Sequence, residues 1–262
     1  MPTIEQNERF WGSQYEWPQS GDEWSKPWGG TQNVWKFVIL PRIREFLPAR
    51  TILEIAPGYG RWTQFLLGSC ERLVAVDVSI KCVENCRRGF AQSPRAQFLH
   101  NDGRSLPLTD DASVDFIFSF DSLVHAEADV LEAYLQESAR VLVPGGAGFI
   151  HHSNLGEYRA SVNLLKILPH SIAHAGQQIY LLPKVHWRAE GVTAAWVSSA
   201  CRHSGMSPVK QEIINWRNGP FLIDCFTIFR NSPGLPGQVL RDRRFMNEAR
   251  RIRKRHESTE KR

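Results

Sequence analysis

The sequence predicts an α/β fold: a seven-stranded sheet with helices on both faces, closing on an antiparallel C-terminal hairpin. From residue 50 onward, runs of strand-forming residues alternate with amphipathic segments of helix length, the mark of a parallel sheet covered on both sides. The first of those runs, Thr51-Ile-Leu-Glu-Ile55, passes straight into a turn carrying Gly58 and Gly60. Two further runs, 208–216 and 221–229, flank Asn218-Gly219-Pro220 and read as the closing hairpin. With 262 residues the chain can bury one such core with some excess.

Residues 1–49 form an aromatic-rich cap. They hold Trp11, Trp17, Trp24, Trp28 and Trp35 among Pro18, Pro27, Gly29 and Gly30, so no single amphipathic helix runs through them. Val34, Phe37, Val38, Ile43 and Phe46 keep a helical stripe over 33–46. The first strand, 52–55, is followed by a helix from Arg61. Leu73-Val-Ala-Val-Asp77 is the second strand, and Ser79 caps a helix with Ile80, Val83 and Cys86 on one side. A short third strand spans 97–100, a fourth 114–120. Asp129 opens a helix whose Val130, Tyr134, Leu135, Ser138 and Leu142 hold the helical period, and Pro144-Gly145-Gly146 ends it before a fifth strand over 147–151. An insertion at 153–190 carries a short helix near 162–168 and the scattered His170, His174, Tyr180, His186 and Trp187. Insertions at the carboxyl end of a strand carry function in open α/β sheets. After a helix over 191–203 and the hairpin, residues 232–262 form a basic tail, helical or disordered. The core domain is 50–231.

The chemistry concentrates in Glu54-x-Ala56-x-Gly58-x-Gly60. Glycines let the backbone adopt positive φ and approach a ligand, and a carboxylate beside them accepts from a cationic or hydroxyl-bearing group. This resembles the first motif of the class I S-adenosylmethionine (SAM)-dependent methyltransferases, acidic-x-Gly-x-Gly-x-Gly, with Ala56 departing by one methyl. Three further passages over about residues 50–152 strengthen the resemblance: Asp77, His100-Asn-Asp-Gly103 and Arg140-Val-Leu-Val-Pro-Gly-Gly146. It implies a Rossmann-like sheet and SAM as cofactor. It also implies that Asp77 accepts the ribose hydroxyls, that Asp102 accepts from the adenine amino group with Gly103 beside it, and that Phe120 joins Glu54, Ala56, Gly58 and Gly60 around the cofactor.

Methyl transfer to a hydroxyl requires water exclusion, alignment and removal of a proton, and no covalent nucleophile. Bases are offered by Phe120-Asp-Ser-Leu-Val-His125 and Ile150-His-His-Ser-Asn154, loops that face one cleft in this architecture. His125, oriented by Asp121 or Glu127, and His152 are the alternatives, with His151 expected to alternate to the other side of the sheet. Asp121 with His152 or Asn154 could instead hold Mg²⁺.

The acceptor is narrowed by exclusion. No Asn/Asp-Pro-Pro-aromatic tetrad follows the fourth strand, no cysteine follows a proline, and 120–132 lacks a pair of glutamates placed for a guanidinium. Base amino, cytosine C5 and protein arginine methylation are thereby disfavoured. Trp24-Ser-Lys-Pro-Trp-Gly-Gly30 and Phe149-Ile-His-His-Ser-Asn154 resemble methyltransferases of bacterial polysaccharide and glycosylated natural-product pathways. Together with the aromatic cap they suit a hydroxyl-rich acceptor better than a charged one: a sugar or glycan hydroxyl first, a phenol or polyketide second.

The net charge of +5 is uneven. Positions 241–262 hold ten Lys/Arg against four Asp/Glu, leaving the rest of the chain near neutral. A basic tail with few aromatics makes nucleic acid a disfavoured partner. Five cysteines without paired zinc spacing, no leader-like N-terminus and no long apolar run point to a reduced, cytoplasmic protein with no transmembrane segment, and leave a homodimer open. A cofactor-binding scaffold without catalysis is the remaining alternative class.

Overall fold

The computed structural model describes residues 3–107 and 110–259. Its sheet strands are β1 (Ala49–Ile55), β2 (Cys70–Asp77), β3 (Ala96–His100), β4 (Val114–Ser119), β5 (Leu142–Ser153), β6 (Ser207–Ile214), β7 (Asp224–Arg230) and β8 (Gln238–Asp242). They lie in the order β3-β2-β1-β4-β5-β7-β6-β8. Neighbours from β3 to β5 are parallel, and β7 runs antiparallel to both β5 and β6. The sheet thus has eight strands rather than the seven expected. The extra one, β8, pairs in parallel with β6 and is drawn from the basic tail. A short, exposed edge strand interrupted by charges carries no apolar alternation for sequence reading to detect.

Alternation along the strands builds two cores. Ile52, Phe116, Phe118, Phe149 and Phe226 face one side with Trp28, Val38, Ile39, Ile43 and Phe245, while Leu53, Val74, Val76 and Ile117 face the other with Leu131, Leu135 and Val197. The first face is covered by the N-terminal segment and by the C-terminal helix Phe245–Thr259, whose Phe245 and Ala249 are buried. The second is covered by helices Ala128–Val141 and Ala194–His203.

The stripe expected over 33–46 is a succession of α (Thr31–Val34), π (Trp35–Ile39), α (Leu40–Ile43) and 3₁₀ (Arg44–Phe46) turns. Pro41 offers no N–H to close an α-type bond, and the wider π turn just before it absorbs the defect. Pro144-Gly145-Gly146 lies inside β5, where the pairing with β4 shifts register, instead of separating helix from strand. The inserted region after β5 holds helices Arg159–Ile167 and His170–Gln178. All five cysteines are free and buried, and among the described residues no helix is long and apolar enough to cross a membrane.

Candidate active site

The turn after β1 has the geometry its sequence foretells. Ala56 takes φ 57°, Gly58 φ 58° and Gly60 φ 82°, so the one alanine in the motif keeps the left-handed backbone that glycine would adopt freely. Its N–H donates to Val76 O at 2.7 Å and its carbonyl accepts from Ser122 Oγ at 2.9 Å, tying the turn to the ends of β2 and β4. A Cβ at Gly58 would fall 2.6 Å from the Trp17 ring, and one at Gly60 2.5 Å from Phe90. At the tip of β2, Asp77 accepts from Gly58 N at 3.1 Å and Ser79 N at 2.8 Å. Burial pushes its pKa up to about 6, those two bonds opposing the rise.

These elements wall a cavity. Ala56, Gly58, Asp77, Gly103, Phe120, Asp121 and His125 all line it, together with Ile4, Trp11, Trp17 and Trp24 from the N-terminal segment. Three of the expected cofactor-binding residues stand apart. Glu54 is buried behind the turn, where its Oε2 accepts from Thr63 Oγ1 at 2.6 Å; burial raises its pKa to about 8, and its Oε1 has no partner. Asp102 is exposed, its Oδ1 accepting from Arg104 N, Ser105 N and Ser105 Oγ, so the carboxylate folds its own loop. Gly60 shapes the turn without reaching the cavity wall, because it faces Phe90. A glycine cradle with no room for a Cβ and a carboxylate at the next strand tip fit the adenosyl part of SAM.

A second chamber adjoins the first. Phe10, Tyr15, His186, Trp187, Arg188, Trp216 and Arg217 line it, and Trp11, Trp24, Asp121 and His125 belong to both. Asp121, at φ 67°, pairs with Arg61 at 3.0 Å, and the Arg61 guanidinium lies over Trp62 and Trp24, 4.4 and 5.4 Å from their ring centroids. Of the nine non-glycine residues at positive φ among the described residues, six, Trp17, Ala56, Asp121, His186, Trp187 and Arg217, line one or both chambers. Such conformations cost about 1–2 kcal/mol each and persist where surroundings impose them, which places the strain around one cleft.

The histidines divide by position. His125 Nδ1 lies 2.6 Å from Trp187 O; a carbonyl only accepts, so the ring proton sits on Nδ1 and Nε2 is left as an acceptor. Burial, then Arg188, push its pKa down to about 4, so the imidazole is neutral at physiological pH. His152 is fully buried and lines neither chamber: Nδ1 meets Ser153 O at 2.8 Å and Nε2 meets Thr227 Oγ1 at 2.7 Å. The expected phase of β5 was therefore reversed. His151 shares the Phe149 side and, although it too lines neither chamber, sits behind Asp121, its Nδ1 accepting the Asp121 N–H at 3.2 Å and its Nε2 standing 3.2 Å from Asp224 Oδ2. Burial opposes ionisation of Asp224, but Arg188, bonded to both its oxygens, and His151 hold the carboxyl below its ordinary range.

The residues offered for Mg²⁺ do not fit it. Asp121 is ion-paired, both ring nitrogens of His152 are engaged, and Asn154 donates to Leu222 O and Glu157 while accepting from Ala194 N. Among the described residues no group of three or more His, Cys, Asp or Glu gathers. Sequence reasoning set His151 on the other side of the sheet and missed Arg61, Arg188, Arg217 and Asp224. Only Arg61, next to Gly60, stood close enough to a motif to be found.

Comparison with known proteins agrees with this geometry. Residues 52–146 match the family model described as a methyltransferase domain. A 75-residue stretch is 36% identical to ribosomal RNA small subunit methyltransferase A of Geobacter metallireducens, covering 28% of this chain and 27% of that protein. Another, of 119 residues, is 32% identical to demethylmenaquinone methyltransferase of Clavibacter sepedonicus, covering 45% and 46%. The chain therefore spans less than half the length of these relatives. Among solved structures, the N-methyltransferase NodS of Bradyrhizobium japonicum in complex with S-adenosyl-L-homocysteine superposes with a TM-score of 0.55 at 14% identity, over 88% of this chain and 99% of that one. That likeness shows a shared fold.

Proposed function

We propose, from the class I methyltransferase domain that this chain carries, that it transfers the methyl group of SAM to a hydroxyl of a sugar or glycan acceptor. The observation that carries the reading is the common wall: Trp11, Trp24, Asp121 and His125 border both chambers, so a donor in one and an acceptor in the other would meet there.

When bound, SAM supplies an electrophilic sulfonium methyl. The Gly58 turn and Asp77 would hold its adenosine end, and the ring faces of Trp11, Trp17 and Trp24 offer a surface that suits a cation. In the second chamber, Trp11, Trp24, Trp187 and Trp216 supply ring faces against which a sugar body or a phenol stacks, while closure around them excludes water. His125, fixed by Trp187 O, holds Nε2 as an acceptor that would take the proton of the acceptor hydroxyl. Asp121, neutralised by Arg61, adds no net charge to the junction.

The test is label transfer from methyl-labelled SAM to a panel of saccharides, phenols and amines, with and without chelator. Label on a saccharide hydroxyl, insensitive to chelator, is the expected result. Label confined to phenols selects the second acceptor class, and label confined to amines overturns O-methylation. Calorimetry that shows no binding of SAM or S-adenosylhomocysteine overturns the whole reading.

A further inference from the structure

The second chamber holds a charge that no neighbour cancels. Of the charged side chains lining it, Arg188 is paired through both oxygens of Asp224, and Asp121 is paired with Arg61. Arg217 is different. Among the described residues no carboxylate lies within ion-pair distance of it, and its one hydrogen bond runs from Nη2 to Trp24 O at 3.1 Å. His125 and His186 do not offset the balance, because burial and the nearby arginines keep both imidazoles neutral, with pKa values lowered to about 4.

The position of Arg217 is held against cost. It sits in the segment between β6 and β7 at φ 53°, a conformation that disfavours a long side chain by about 1–2 kcal/mol. Partial burial lowers its pKa, with Asp121 opposing and Arg188 adding to the effect, while the residue as a whole is exposed and open to a ligand. A guanidinium with four unused N–H donors matches the paired oxygens of a carboxylate or a phosphate, and the flanking Trp24 and Trp216 rings would stack the body that carries them.

We infer that the acceptor is an acid: a hydroxyl-bearing compound whose carboxylate or phosphate is gripped by Arg217 while its hydroxyl reaches the wall formed by Asp121 and His125. This rests on the methyltransferase reading above and revises the expectation of an uncharged acceptor. The aromatic N-terminal segment suggested sugar stacking from the sequence; the arginine at 217 lay in a turn and carried no signal of its own.

The experiment is calorimetry on protein saturated with S-adenosylhomocysteine, titrated with matched pairs: glucuronate and glucose 6-phosphate against glucose, and 4-hydroxybenzoate against phenol. At least one acid should bind about ten- to a hundredfold more tightly than its neutral partner, the scale of one charge-assisted bidentate contact. That advantage should vanish in Arg217→Gln and return in part in Arg217→Lys, with S-adenosylhomocysteine affinity unchanged in both. The pair that responds separates carboxylate from phosphate. No advantage for any acid, or an advantage that survives in Arg217→Gln, overturns the inference and leaves the methyltransferase reading standing. Loss of S-adenosylhomocysteine binding by the unaltered protein overturns that reading instead.

Discussion

The main-chain N–H of Asp121 donates to Nδ1 of His151 across 3.2 Å, joining the segment just after β4 to the carboxyl end of β5 behind a residue that lines both chambers. Accepting there leaves the His151 proton on Nε2, facing Asp224, which Arg188 grips in turn. A buried chain of four residues thus fixes a backbone that carries positive φ at Asp121. His151→Phe keeps the packing against Phe120, Trp216 and Phe226 but deletes the acceptor. Its expected effect is a loss of stability of about 1–3 kcal/mol and a fall in kcat of tenfold or more at nearly constant S-adenosylhomocysteine affinity. Unchanged kcat would remove His151 from any positioning role.

His125 and His152 should separate cleanly. His125→Gln is expected to lower kcat by about 10²–10⁴-fold with little change in melting temperature, since it removes the proton acceptor. His152→Gln breaks the chain from Gln211 through Thr227 and His152 to Ser153 O, costing about 1–3 kcal/mol in stability while activity per folded molecule stays near that of the parent. Turnover and chemical denaturation of the two variants side by side decide the assignment.

The same residues set a pH dependence. His125 and His152 have folded pKa values of about 4, lowered chiefly by burial, against about 6.5 in the unfolded chain. The unfolded state therefore binds more protons between those values, and each histidine costs stability as pH falls through that window. The stability gap between the parent and His152→Gln should narrow from pH 7 to pH 4.5, as read by denaturation midpoints. Turnover should show no acid limb near pH 6.5, because His125 stays unprotonated until about pH 4.

Gly58→Ala combines two penalties: φ 58° costs a β-carbon about 1–2 kcal/mol, and that carbon meets Trp17 at 2.6 Å. Affinity for S-adenosylhomocysteine should fall at least tenfold. Adding Trp17→Ala removes the clash and leaves the backbone penalty, so recovery should be partial; full recovery or none would contradict this account of the turn.

The basic C-terminal helix makes a packing contribution that its charges conceal. Phe245→Ala, at a residue 1% exposed against Trp28, Trp216 and Phe226, should cost about 3–5 kcal/mol. Neutralising the exposed Arg250, Arg251 and Lys254 together should leave the melting temperature within about 2 °C, as expected of surface charges.

What the sequence made legible follows from how local each signal was. The glycine turn, Asp77 and the strands from β1 to β5 are written in short contiguous patterns, and the structure reproduces them. The acceptor side is assembled from contacts far apart in the chain: Arg61 to Asp121, Arg188 to Asp224, Trp11 against His125, Arg217 to Trp24. No spacing rule anticipates these. His151 and His152 show the limit sharply, since both lie on a strand buried on its two sides and only the phase of one alternation tells which of them meets the Asp121 backbone.

The wall that parts the two chambers comes from two kinds of chain. The stretch matched as a methyltransferase domain, 52–146, contributes Asp121 and His125, whereas Trp11 and Trp24 lie outside it. In the proposed reading, donor and recipient would therefore each meet side chains of the matched stretch and of its flanks, and exchanging those flanks for another molecule's would disturb the grip on both.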